Sequence, residues 1–145
     1  MTDQRFTLRL ADWHRDMGNL RALRKTVFIE EQAVPKAIEW DGLDQDARHA
    51  IAEDGEGQAI GTGRLLNTGQ IGRMAVLQPW RNQGVGAAIL STLIAEAAST
   101  GSYPLLFLNA QRHAEAFYAR HGFRPVGEEF FEAGIRHIRM ELYND

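Results

Sequence analysis

Gly72-Arg73-Met74-Ala75-Val76-Leu77-Gln78-Pro79-Trp80-Arg81-Asn82-Gln83-Gly84-Val85-Gly86 reads as a strand, then a short turn, then the opening of a long helix. Gly84 and Gly86 let the backbone approach a ligand closely, because no side chain stands in the way. Amide groups from about Asn82 to Gly86 point out of the helix start, where they lack internal partners. A helix start of this kind binds phosphate, and Arg81 adds a charged donor that can bond in a bidentate way. The same residues also read as a glycine-softened helix start beside a surface arginine. Other phosphate motifs do not fit. No Gly-Lys-Ser/Thr occurs, so this is not a Walker A loop. The stretch from Gly84 lacks the third glycine of the dinucleotide fingerprint, and no acid stands about 20 residues on, where Tyr103, Pro104 and Leu105 lie.

Outward from this segment the pattern alternates between helix and strand. Residues 5–10 place Phe6, Leu8 and Leu10 at period two, a first strand. Asp12 or Asp16 can cap a helix that carries Leu20, Leu23, Arg24, Val27 and Phe28 at helical spacing to about Glu31. Residues 33–45 read as a loop rich in chemistry, with Trp40, Asp41 and Asp44. Strands follow at 47–53, 58–67 and 70–76, joined by the turn at 54–57 and by Thr68-Gly69. The long helix runs from Gly84 to about Ser99, with Val85, Ile89, Leu90, Leu93, Ile94 and Ala97 on one face, and Gly101 ends it. The apolar run at 103–110 predicts a strand buried on both faces. A short helix at 112–121 and a hairpin of 124–131 with 135–142 complete the order β-α-βββ-α-β-α-ββ. This is α/β (α+β), with helices on both faces of a largely antiparallel sheet.

The 145 residues carry 16 Lys+Arg and 19 Asp+Glu, a net charge of −3. One domain over residues 1–145 fits that length, and the acidic balance argues against a nucleic-acid partner. No apolar run approaches the roughly 18 residues of a membrane span, and no signal peptide is read. Cysteine is absent, which excludes disulfides, thiolate metal sites and a cysteine nucleophile and fits a cytoplasmic protein. His14, His49, His113, His121 and His137 form no metal-binding spacing. None of the three serines sits in a G-x-S-x-G elbow. Adjacent Glu128 and Glu129 point to opposite faces of a strand and make no carboxylate dyad.

Arg81-Asn82-Gln83-Gly84-Val85-Gly86 matches the R/Q-x-x-G-x-G/A motif, and the chain resembles the GCN5-related N-acetyltransferases (GNAT) over essentially its whole length. Other blocks are similar to its ElaA/YjcF-like branch. They are Val27-Phe28-Ile29-Glu30-Glu31-Gln32, Glu39-Trp40-Asp41-Gly42, Leu108-Asn109-Ala110-Gln111, Phe117-Tyr118 with Gly122-Phe123, and Gly134-Ile135-Arg136-His137. The branch often has proline where this chain has Arg136.

The resemblance implies the GNAT fold: a mixed central sheet of about six to seven strands, mostly antiparallel, with one splayed parallel pair and about four flanking helices. It implies acetyl-CoA as cosubstrate, with no metal, lying between strands 70–76 and 103–110. The backbone of Met74, Ala75 and Val76 would bond the pantetheine arm. Amides of Arg81, Asn82, Gln83, Gly84, Val85 and Gly86 would hold the pyrophosphate, and an N–H near Met74 or Ala75 would polarise the thioester carbonyl. Asn109 would bond the pantetheine amide, or else cap a helix or turn. Tyr118 would protonate the departing thiolate, or else pack with Phe117 and Phe123. Glu31 ranks first as general base, while Asp41, His49, Glu132 and His137 share the same mouth. Trp40, Asp41, Glu132 and His137 would contact the acceptor, a small amine or a peptide. The acidic loop residues Glu39, Asp41, Asp44 and Asp46 would suit an amine by charge. Direct transfer to a primary amine is the first reading. A non-catalytic acyl-CoA sensor, or a homodimer built on the edge of the last hairpin, stands beside it.

Overall fold

The computed structural model describes residues 5–143. Strand β1 (Phe6–Leu10) leads into helix α1 (Trp13–Arg24), which continues as a π-helical segment over Lys25–Glu31. Asp12 caps α1 by accepting from the His14 amide at 3.1 Å. Asp16 turns back instead, accepting from the Asp12 amide and from Arg9 of β1. The helical spacing to Glu31 is therefore present, but its last turns are wound wider than an α-helix. A short helix α2 (Lys36–Glu39) lies inside the stretch read as loop. Then come β2 (Arg48–Asp54), β3 (Ala59–Leu65), β4 (Ile71–Val76), helix α3 (Val85–Thr100) and β5 (Leu105–Gln111). A 3₁₀ turn at Arg112–Ala114 precedes helix α4 (Glu115–Ala119), so the helix expected over 112–121 is shorter. Strands β6 (Arg124–Glu132) and β7 (Ile135–Tyr143) form the final hairpin.

The strands divide into two antiparallel sheets, β1-β2-β3-β4 and β5-β7-β6. They meet at one parallel bridge, Gln70 to Phe107, where the Phe107 amide donates to Gly69 O at 3.1 Å. The expected splayed parallel pair is thus β4 and β5, touching at one end. Strand β5 is buried on one face only. Leu106, Leu108 and Ala110 enter the core, while Leu105, Phe107, Asn109 and Gln111 are half-exposed on the other face.

Helix α3 begins and ends at left-handed glycines, Gly84 and Gly101, as its C-cap signal predicted. Its apolar face, Val85, Ile89, Leu90, Leu93 and Ala97, is fully enclosed against both sheets. Each of the larger side chains contributes about 1.5–3 kcal/mol by leaving water. The close seat of α3 on β3 requires glycine beneath it. A Cβ on Gly63 would lie 2.7 Å from Ile89 Cγ2 and 2.6 Å from Met74 Sδ. Opposite Gly63, strand β4 bulges. Thr62 pairs with Ala75 and Arg64 with Gly72, so Arg73 and Met74 both face one residue of β3. Arg73 takes a left-handed φ of 49°, uncommon for a side chain of its size.

Candidate active site

Beyond Gln70 and Phe107, β4 and β5 part and open a cleft of about 720 Å³. Met74, Ala75 and Val76 line it from β4, Asn109 and Gln111 from β5, and Tyr118 from α4. Val27 and Phe28 of the π-helical segment form part of its wall, and Asp41, Glu132 and His137 stand along it. The bulge at Arg73 and Met74 breaks the β3–β4 ladder at this wall, so the backbone here is not committed to regular pairing.

Arg81 is part of the lining; Asn82, Gln83, Gly84, Val85 and Gly86 follow it outside the lining. Asn82 and Gly84 have φ of 63° and 86°, and Gln83 Nε2 donates to Pro79 O, pinning the turn. The first bond of α3 runs from Ala88 N to Gly84 O, and no side chain caps the helix. The amides of Val85, Gly86 and Ala87 therefore have no helical acceptor, which suits an anion. A Cβ on Gly86 would sit 3.5 Å from Phe117, so alanine fits there and a longer side chain meets an aromatic ring.

Arg81 is already engaged. Its Nε donates to Val76 O at 2.8 Å, and Nη2 donates to both carboxylate oxygens of Glu31 at 3.0 and 2.9 Å. Glu31, ranked first as general base, is thus paired with Arg81 in this structure. Its side chain is tied to the turn that opens α3 and lies outside the cleft lining. Tyr118 lines the cleft from a 9% exposed position, edge-on to Phe117 and Phe123. Burial pushes its phenol up to about 12. Asn109 pairs opposite Arg139 inside β5, and Gln111 occupies the cap of the next turn, so the cap or turn reading of Asn109 falls.

The acidic loop is not an open amine trap. Buried Arg24 donates to Glu39 at 2.6 Å and to Asp44 at 2.7 Å, and its guanidinium lies over Trp40. Arg64 donates to both oxygens of Asp41 and to Asp44. Arg73 reaches Asp41 at 3.1 Å and the carbonyls of Ile38 and Glu39. Its Nε is 3.0 Å from Glu39 but misaligned for a hydrogen bond there. Burial wins at Glu39 and raises its carboxyl despite Arg24. At Asp41 burial also works upward, but Arg64 prevails and holds the group at about 2. Trp40 thus serves the ion network and does not line the cleft. His49 is also drawn away from the mouth: Nε2 meets Asp44 O, the ring stacks on Trp13, and burial lowers its pKa.

One further contact, and the ion network itself, lay outside what the sequence showed. Gln111 Nε2 donates to Gln32 Oε1 at 2.9 Å, tying the end of β5 to the end of the π-helical segment. The arginines of the ion network had a trace in sequence, since Arg24 recurs on the apolar face of its helix, where a cation needs buried partners. Nothing in the spacing ties Gln32 to a residue so far along the chain.

The GNAT acetyltransferase domain family matches residues 13–144. YjcF of Bacillus subtilis, described as an uncharacterized N-acetyltransferase, is 39% identical over 81% of this chain and 86% of its own length. An acyl-CoA N-acyltransferase from Pseudomonas aeruginosa superposes with a TM-score of 0.83 at 32% identity, covering 96% of this chain and 99% of that one. Escherichia coli ElaA superposes with a TM-score of 0.82 at 28% identity, covering 94% and 99%. By the domain match and these relatives, the chain belongs to the GNAT acetyltransferases and is an ElaA/YjcF-like member.

Proposed function

We propose that this acetyltransferase moves an acetyl group from acetyl-CoA directly to a primary amine, the acceptor being a small molecule or a peptide. The observation that carries the reading is one continuous feature: a cleft-lining strand with a bulge, running into a turn whose helix amides have no acceptor. A pantetheine arm would add to the open side of β4 through Met74, Ala75 and Val76, as an extra strand does. The amides from Arg81 to Gly86 would take the pyrophosphate, with Arg81 exchanging Glu31 for phosphate oxygens. An amide at the bulge, near Met74 or Ala75, would stabilise the oxyanion as the amine attacks. Asn109 would bond the pantetheine amide from the opposite wall.

Tyr118 would give its proton to the departing sulfur. Burial favours its neutral form, so the phenol carries that proton throughout the neutral range. Transfer is direct in this reading, since the chain has no cysteine to carry the acyl group. One domain spans residues 1–145, and the cytoplasm is its place.

Calorimetric titration with acetyl-CoA tests the reading, beside Arg81→Ala and Gly86→Leu. Saturable one-to-one binding is expected, weakened about tenfold or more by each change. Absence of binding to folded protein, freed of any co-purified CoA, overturns it. Binding with no thiol release across amines and peptides would favour the sensor.

A further inference from the structure

We propose that His137 is the proton acceptor for the attacking amine, with Glu132 holding the ammonium beside it; this rests on the acyltransferase reading above. The argument begins with the tautomer. Nδ1 of His137 lies 2.7 Å from Ile135 O, and a carbonyl has no proton to offer, so Nδ1 carries the hydrogen. The lone pair is therefore on Nε2. The ring is fixed on a second side by Phe130, stacked at 5.7 Å with a 21° angle between planes. The residue is 7% exposed and lines the cleft.

Glu132 Oε2 stands 3.9 Å from Nε2. That is too long for a hydrogen bond, and the two groups can share one ammonium between them. The carboxylate draws the cation in, and the imidazole takes a proton from it. Glu132 then faces the imidazolium and offsets its charge. The other carboxylates near the cleft are committed or placed elsewhere, and His113 is the second imidazole in the lining. Glu31 lies outside the cleft lining beside the turn at Arg81, Asp41 is on Arg64 and Arg73, and Glu39 and Asp44 are on Arg24.

The step balances as follows. The ammonium gives one proton to Nε2, and the freed lone pair forms the C–N bond to the acyl carbon. The C–S bond breaks, and the Tyr118 phenol supplies the proton to sulfur. The second proton leaves nitrogen as the amide forms and restores the phenol through solvent.

S-bromoacetyl-CoA tests this without knowledge of the acceptor. Its reactive carbon sits next to the position an amine must attack, so a nucleophilic lone pair there displaces bromide. We expect a stable adduct on His137, mapped by peptide mass spectrometry and blocked by excess CoA. His137→Asn is the matched variant, because its amide can still donate to Ile135 O while the Nε2 lone pair is gone. It is expected to fold with an unchanged melting temperature and to lose at least nine-tenths of the labelling. Binding of the reagent with no adduct, or with the adduct on another residue, overturns the proposal and leaves the acyltransferase reading standing. Failure of CoA itself to bind overturns both.

Discussion

Replacing Arg24 with methionine should be far more damaging than replacing a surface arginine, and the ion network gives the size. Arg24 is 0% exposed and makes three hydrogen bonds, to Glu39 Oε2, Asp44 Oδ1 and Glu39 O. Methionine fills much of its volume and leaves Glu39 and Asp44 short of a cation in a buried setting. Breaking a buried pair by removing one partner costs about 3–5 kcal/mol. For a chain of this size that corresponds to a fall in melting temperature of roughly 10–15 °C. Arg9→Met is the comparison, since Arg9 also bridges two carboxylates but its side chain is 38% exposed. About 1 kcal/mol or less is expected there. Urea denaturation, with the slope checked for constancy, measures both. The triple change Arg24→Met, Glu39→Met and Asp44→Leu should recover only part of the loss, because Glu39 and Asp44 also face Arg73 and Arg64, which then lose partners. If Arg24→Met loses no more than Arg9→Met, the network is not the tie that holds the acidic loop to the helix.

Gly63→Ala forces a methyl group against Ile89, Leu93 and Met74. We expect a loss of about 1–3 kcal/mol by overpacking, read in the same denaturation assay, and weaker acetyl-CoA binding as Met74 shifts at the bulge. Tyr118→Phe should bind acetyl-CoA as before, slow thiol release by at least tenfold and abolish one alkaline effect. Because burial raises the folded phenol to about 12, the protein is stabilised by the neutral tyrosine below pH 10 and loses that advantage as pH rises from 10 to 12. Wild type should therefore lose roughly 2–3 kcal/mol more than Tyr118→Phe across that interval, measured by denaturation at each pH. Equal losses would place Tyr118 in contact with solvent.

The chain's order of helices and strands was legible because the apolar spacing and the glycines mark it. Gly84 and Gly101 bracket α3, and the strand periods give β1 to β4 within a residue or two. The π-helical winding at Lys25–Glu31 was not legible, because apolar residues at 20, 23, 27 and 28 fit an α-helical face equally well. The splay of β4 and β5 came from the family resemblance alone: where two distant strands diverge is something no local pattern encodes. At the cleft, the family resemblance suggested one neighbourhood for Tyr118, Asn109, Asp41, Glu132 and His137, which share one lining, and for Glu31, Trp40 and His49, which lie outside it. What the sequence could not show was occupancy. Glu31 and Asp41 look like free carboxylates until Arg81, Arg64 and Arg73 are seen against them.

The two sheets also follow the order of the chain. Strands β1 to β4 come before α3 and strands β5 to β7 after it, so each sheet is assembled from its own stretch of sequence. Strands β2, β3 and β4 follow one another through short turns, as do β6 and β7, while β1 reaches β2 across α1 and β5 reaches β7 across α4 and β6. A parallel pairing across α3 has to close a whole crossover and cannot use a hairpin turn, which is the kind of contact that slows folding. Here that contact is cut to one bridge, between Gln70 and Phe107. The backbone edges that folding leaves unjoined past that point are the walls of the cleft.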